Sequence, residues 1–255
     1  MSLLEYQLEE AVAVLTLSRP PVNALNGELI ADLDAAITRA ADPAVRAVVL
    51  TGSPHFAAGA DITEFTEAYE SGDVRLVARR LTDTIRRLEQ LPKPVVAAIE
   101  GYALGGGLEV ALGCDFRYLS ATATVGLPEI TLGIIPGAGG TQRLTRLIGM
   151  RPAREMIYSG RFVKADEALA LGIADRVLQP DALLDEAMGY AAAWAKGPTV
   201  ALGSAKTAIN EGLGRPLDDG LDVEVEAFAH CFAAEDAREG TAAFLEKRDP
   251  QFEGR

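Results

Sequence analysis

The amino-acid sequence predicts an α/β fold. Three β-prone apolar runs, AVAVLTL (11–17), VRAVVLTG (45–52) and PVVAAIEG (94–101), are separated by segments whose apolar residues recur at helical spacing. A change of texture at Lys196-Gly197-Pro198 completes the prediction: strands and helices mix before it, and the chain after it is nearly all helical. This sets a core at residues 1–196 and a helical C-terminal region at 197–255.

The first run ends in RPPVNALN, whose prolines stop a strand and open a loop. From Glu28 to Ala40 the positions Leu29, Ile30, Leu33, Ala36, Ile37 and Ala40 line one face of a helix, with Asn26 as its cap. The second run leads into the AAGAD loop, and a long helix follows from about Asp73 to Gln90. The third run feeds the triple glycine 105–107, from which a helix runs toward Gly113. FRYLSA (116–121) and TVG (124–126) are expected as short strands, and PGAGGTQRLTRLIG and RPAREMIYSG as loop-started helices. KADEALALG, 181–196 and most of 198–247 follow as helices, with ADRVL (174–178) a strand among them.

A chain of 255 residues with 49% hydrophobic content can bury a sizeable core. Its 24 basic against 37 acidic residues leave a formal charge of −13, which argues against broad nucleic-acid binding because phosphate contacts need clustered Lys and Arg. The start MSLLEYQLEE has neither the basic nor the apolar part of a signal peptide, and no apolar stretch reaches bilayer length, so a cytoplasmic protein with no membrane partner is expected. Cys114 and Cys231 stand far apart with no CxxC pair, so they are read as small buried hydrophobes, with neither a disulfide nor a metal site expected.

Chemistry is carried by two glutamates beside glycine-bearing stretches, Glu109 in GYALGGGLEVALGCD and Glu129 in GLPEITLGIIPGAGGTQRL. Two carboxyls that share a proton form an acid/base pair, and glycines leave bare backbone N–H groups beside them. HFAAGADI (55–62) offers a second patch of small residues where a polar ligand could meet backbone. Together these suggest acyl chemistry. The PGAGG run lacks the Lys-Ser/Thr of a phosphate loop and is read as a tight turn supporting Glu129. No GxSxG elbow accompanies His55 and His230, so a Ser/His/Asp triad is not expected, and His55 is read as a loop residue.

In order, RPPVNALN, FAAGADI, KPVVAAIEGYALGGGLEVALGCD, PEITLGIIPGAGGTQRLTRLIG and FLEKRDPQF resemble the enoyl-CoA hydratase/isomerase (crotonase) family over essentially the whole chain. The resemblance implies a spiral of ββα units with a helical C-terminal oligomerisation region, assembled as a homotrimer or a dimer of trimers. It implies an acyl-CoA thioester as substrate, with coenzyme A part of that substrate and no separate cofactor. Matched to the family motif, the oxyanion-hole donors are the N–H groups of Ala60 and Gly106, and Ala58, Ala60, Asp61, Ile62, Thr63 and Gly106 meet the thioester. Glu109 is then the base that activates water and Glu129 the acid that protonates Cα, a pairing that favours hydration of 2-enoyl-CoA over Δ3-Δ2 isomerisation. At Thr63 the sequence departs from the many family hydratases that carry a basic residue there. Some relatives bind RNA through a basic helix; here Arg75, Arg79 and Arg86 share a face with acidic neighbours, and a solvated face is the preferred account.

Overall fold

A computed structural model describes residues 2–72 and 74–255. In chain order, β1 (Leu4–Glu9) turns back antiparallel onto β2 (Val12–Leu17), and helix α1 (Gly27–Ala40) follows. Asn26 caps α1 as expected, its side-chain oxygen accepting from the Leu29 N–H at 3.0 Å. Next come β3 (Ala47–Gly52), α2 (Glu64–Ser71), α3 (Val74–Gln90), β4 (Val95–Ile99), β5 (Tyr102–Leu104) and α4 (Gly106–Leu112). Then follow β6 (Phe116–Ser120), β7 (Thr124–Gly126), a 3-10 turn at Glu129–Leu132, α5 (Gly140–Ile148), α6 (Met150–Ser159) and β8 (Phe162–Lys164). The chain closes with α7 (Ala165–Leu171), β9 (Arg176–Leu178), α8 (Leu183–Ala195), α9 (Thr199–Gly212), α10 (Leu217–Phe232) and α11 (Glu235–Glu246).

Two sheets share the strands. The larger runs β1-β2-β3-β4-β6-β9, parallel from β2 onward, and the smaller runs β5-β7-β8. Successive strands go to different sheets, β4 then β5 and β6 then β7, before a helix closes the turn. This is the spiral of ββα units implied by the resemblance. Bridges from Ala57 to Ala103 and from Leu25 to Ala60 extend the same pattern to the loop after β3.

The strands at the centre of the large sheet are apolar throughout because both faces are covered. Every residue of β3 and β4 is buried. Leu50, Ala97 and Ile99 join Leu29, Leu33, Ile85 and Leu108 on one side. On the other, Val49, Val96, Ala98 and Tyr118 meet Leu183, Ala187, Ala191 and Ala195 of α8, whose alanines let the helix lie close to the sheet.

Four elements were not marked by the sequence pattern: β1, α2, β5 and β8. The last two are three-residue strands too short for a periodic signal, and β1 is an edge strand with a mostly exposed face. The helical stretch after residue 197 is tied back to the sheet layers. Lys206 pairs with Asp115 at 2.8 Å, and Arg46 donates to the Gly197 carbonyl and Thr199 hydroxyl at 2.6 and 2.9 Å.

Candidate active site

The turn 19–25 and the strip 55–61 lie against each other. Buried Asn23 donates to the carbonyls of Leu17 and His55 at 3.1 and 2.7 Å and accepts from the Arg19 N–H at 2.7 Å. Leu25 N–H donates to Gly59 O at 2.8 Å, and Asp61 N–H donates to Leu25 O at 2.9 Å. Ala60, between those two bonds, keeps its own N–H unclaimed. The same holds for Gly106: among the described residues, neither N–H donates to a backbone acceptor. The two residues are neighbours, since a Cβ placed on Gly106 would lie 3.6 Å from Ala60 N.

The triple glycine makes this approach possible. Gly105 has φ of +51° and sits so close to Glu129 that an added Cβ would come within 2.9 Å of Oε1. At Gly107 a Cβ would fall 2.1 Å from the Ala57 carbonyl oxygen, so only glycine lets the start of α4 reach the strip.

Glu109 stands in the first turn of α4 and is 2% exposed. Its Oε1 accepts from the N–H groups of Ala138 and Gly140 at 2.8 and 2.7 Å. Burial pushes its carboxyl up from the ordinary value, while those two donors and the Arg143 guanidinium pull it back toward the ionised form. The PGAGG loop therefore cradles Glu109, not Glu129 as the sequence reading had it. Spacing alone could not say over which carboxyl the loop folds.

Glu129 opens the 3-10 turn, with Leu127 and Pro128 between it and the end of β7. Its Oε2 is buried without a hydrogen-bond partner among the described residues. Burial first, and the nearby Glu109 charge second, push its carboxyl up to about 7.

The structure thus brings Ala60, Gly106, Glu109 and Glu129 together around the glycine turn. Asp61, Ile62 and Thr63 stand at the rim, with Ile62 and Thr63 exposed and Ala58 beside the strip donating its N–H to Val22 O at 3.0 Å. Asp61 Oδ1 accepts from the Thr63 hydroxyl and N–H, and Oδ2 from Arg19 at 2.6 Å, so its carboxyl is held below the usual range, chiefly by Thr63. Arg19 was not singled out from the sequence; an arginine 42 residues upstream of its partner gives no local signal. His55 stacks on Tyr102 at 4.5 Å and accepts its N–H through Nδ1, which is a loop-bracing role. On α3, Arg75, Arg79 and Arg86 are exposed, while Arg87 pairs with Asp34. Among the described residues no helix is long and apolar enough to cross a membrane.

Comparison with known proteins fits this geometry. The profile of the enoyl-CoA hydratase/isomerase family matches residues 7–255. A short-chain-enoyl-CoA hydratase of Clostridium acetobutylicum is 43% identical over 94% of this chain and 93% of its own. A crotonyl-CoA hydratase of Syntrophomonas wolfei is 41% identical, covering 96% and 95%. The crystal structure of an enoyl-CoA hydratase from Bacillus anthracis superposes with a TM-score of 0.93 at 39% identity, covering 99% of this chain and all of that one. The chain belongs to the enoyl-CoA hydratase/isomerase family, and its α/β architecture is the crotonase fold.

Proposed function

We propose that this enzyme is a hydro-lyase that adds water across the 2,3 double bond of 2-enoyl-CoA thioesters to give 3-hydroxyacyl-CoA. The observation that carries the reading is the unequal pair of carboxyls beside the two free N–H groups. A carboxylate fixed by two N–H donors suits a base, and one pushed up to about 7 suits an acid near neutrality.

Glu109 takes a proton from water as the oxygen attacks Cβ. Negative charge then builds on the thioester oxygen, where the N–H groups of Ala60 and Gly106 receive it, each worth about 2.7–4 kcal/mol by comparison with oxyanion-hole deletions. Glu129 delivers a proton to Cα, completing the addition. Ala58, Asp61, Ile62 and Thr63 form the rim against which the rest of the thioester lies. Coenzyme A enters as part of the substrate, and no separate cofactor is needed for these steps.

The test is loss of conjugated-enoyl absorbance with crotonyl-CoA, the thioester named in one relative, with Glu109→Gln/Glu129→Gln in parallel. Rapid loss with wild type and none with the double variant supports the reading. No loss with wild type, across longer and branched enoyl-CoAs as well, rejects it in favour of another reaction of the family such as Δ3-Δ2 isomerisation.

Residues 197–255 serve as the oligomerisation region of a homotrimer or dimer of trimers in the same proposal. Helix α10 supports it: none of its residues is buried, and Leu217, Leu221, Val225, Phe228 and Phe232 make an exposed apolar row. Light scattering that returned a monomer would remove this part.

A further inference from the structure

Arg143 lies outside the reacting pair, yet it holds part of the loop that supports Glu109. From α5 its Nη1 donates to the Ala138 carbonyl at 3.0 Å, while Nε and Nη2 donate to the Glu89 carboxylate of α3 at 3.2 and 2.9 Å. Its side chain is only 16% exposed. Arg143 and Glu109 hold the two peptide groups that flank the Ala138 Cα: the carbonyl on one side accepts from Arg143, and the N–H on the other donates to Glu109. Gly139 makes the grip possible, because a Cβ there would fall 2.0 Å from Arg143 Nη1. Gly140, the next residue, supplies the second N–H to Glu109 and begins the helix that carries Arg143.

We propose that Arg143, anchored by Glu89, is a positioning residue for hydration: it fixes segment 138–140 so that two N–H groups converge on Glu109 Oε1. The inference rests on the hydratase reading for its consequence in turnover, and on the hydrogen-bond geometry for its effect on Glu109. Charged groups face Glu109 from two elements, Arg143 from α5 and Glu129 from the 3-10 turn. Helix α3 packs against α4 and brings Glu89, which is spent on Arg143. Strand β5, also packed against α4, carries Tyr102 as its titratable residue, and that ring stacks on His55.

The sign follows from the chemistry. A base must be ionised to accept the proton from water, and both the cation and the two N–H donors favour that form. Removing Arg143 frees the Ala138 peptide and removes the cation, so Glu109 protonates at higher pH than before. The acidic limb of kcat/KM must move toward alkaline pH.

The experiment compares wild type with Arg143→Gln, Arg143→Lys and Glu89→Gln, using the pH profile of crotonyl-CoA hydration and the infrared carbonyl band of protonated Glu109, assigned by its absence in Glu109→Gln. Arg143→Gln is expected to lose about tenfold or more in kcat near neutrality, a share of the ~10²–10⁴ that general acid–base catalysis supplies, with KM changed by less than about threefold. Its acidic limb and infrared titration should both shift upward. Arg143→Lys, which keeps the charge but not the fork, and Glu89→Gln, which keeps the guanidinium but loosens it, should shift in the same direction by less. A limb and band that superpose on wild type in Arg143→Gln, whatever the loss in rate, overturn the proposal. Should that variant fail to fold, unshifted titrations in both Arg143→Lys and Glu89→Gln overturn it equally. If wild type shows no hydration the hydratase reading fails separately, and the infrared titration alone still decides whether Arg143 governs Glu109.

Discussion

The two carboxyls of the site differ both in depth, Glu109 buried and Glu129 half-buried, and in what surrounds them. Glu109 is walled in by α4, α5 and the 138–140 loop, and the backbone of that loop answers its charge with two donors. Glu129, on a short 3-10 turn, keeps one buried oxygen with no partner among the described residues and sits against the Cα of Gly105 with no room for a side chain between. Desolvation acts on both; at Glu109 two N–H groups of a distant loop and the Arg143 charge offset it, and at Glu129 only its own backbone N–H does. The lesson is that identical side chains acquire opposite duties through the placement of backbone N–H groups, the cheapest donors a protein has.

The largest test of this contrast is removal of either titratable group. Glu129→Gln should lower kcat by about 10²–10⁴ with KM nearly unchanged, since it takes away a proton donor and almost no volume. Glu109→Gln should lose turnover on the same scale, and the double variant should be little worse than the singles because the two act as one unit. Steady-state turnover within a few-fold of wild type in either single variant would break the comparison.

A smaller effect separates the flanks. Gly105→Ala introduces a Cβ at φ of +51° and 2.9 Å from Glu129 Oε1, so backbone strain and crowding act together. Gly140→Ala places a Cβ 3.1 Å from Glu109 Oε1 and 2.9 Å from Pro136 Cβ, at a helical residue with no positive φ. Gly105→Ala should therefore cost about 10–100-fold in kcat/KM, more than Gly140→Ala. Equal losses would mean that the turn tolerates strain and that packing alone matters. The pH profile sharpens the same point: with Glu129 required as an acid and pushed up to about 7, kcat/KM should fall roughly tenfold per pH unit once well above that value. A flat profile from pH 6 to 9 would remove Glu129 as the donor.

Much of this was legible in the sequence, and the exceptions have physical causes. Strands β2, β3 and β4 announce themselves because a strand covered on both faces is apolar at nearly every position, Thr16 and Thr51 being the exceptions, and Asn26 announces α1 because its oxygen has one orphan N–H to meet. The reacting set could be named because each member sits inside a recognisable flank. What stayed hidden is what joins distant segments: the 29- and 31-residue reach from Glu109 to the Ala138 and Gly140 N–H groups, or the 54-residue reach from Arg143 to Glu89. Backbone donors carry no side-chain signature, so a glycine run reads as a turn until the fold says what it turns around. Composition and periodicity stop at mixed α/β; assigning the alternating strands to two sheets took the family resemblance or the coordinates.

The smallest expected effect concerns stability. Glu129 is raised from the model-compound value of 4.5 to about 7 in the fold, so between those values the native state holds a proton that the unfolded chain releases. Stability then falls as pH rises through that window, by at most on the order of 3–4 kcal/mol if the whole shift is realised, because each pH unit is worth about 1.4 kcal/mol. Below about pH 4.5 both states are protonated and the difference vanishes. Glu129→Gln cannot ionise, so it should match wild type at about pH 4 and exceed it at about pH 8 in urea unfolding. Glu109→Gln should gain less, because the Ala138 and Gly140 donors already offset part of its burial and an amide oxygen accepts from them less strongly than a carboxylate. If Glu109→Gln were instead the more stabilised variant at pH 8, the carboxyl with the built-in cradle would be the strained one, and the division of duties drawn from the two pockets would have to be reversed.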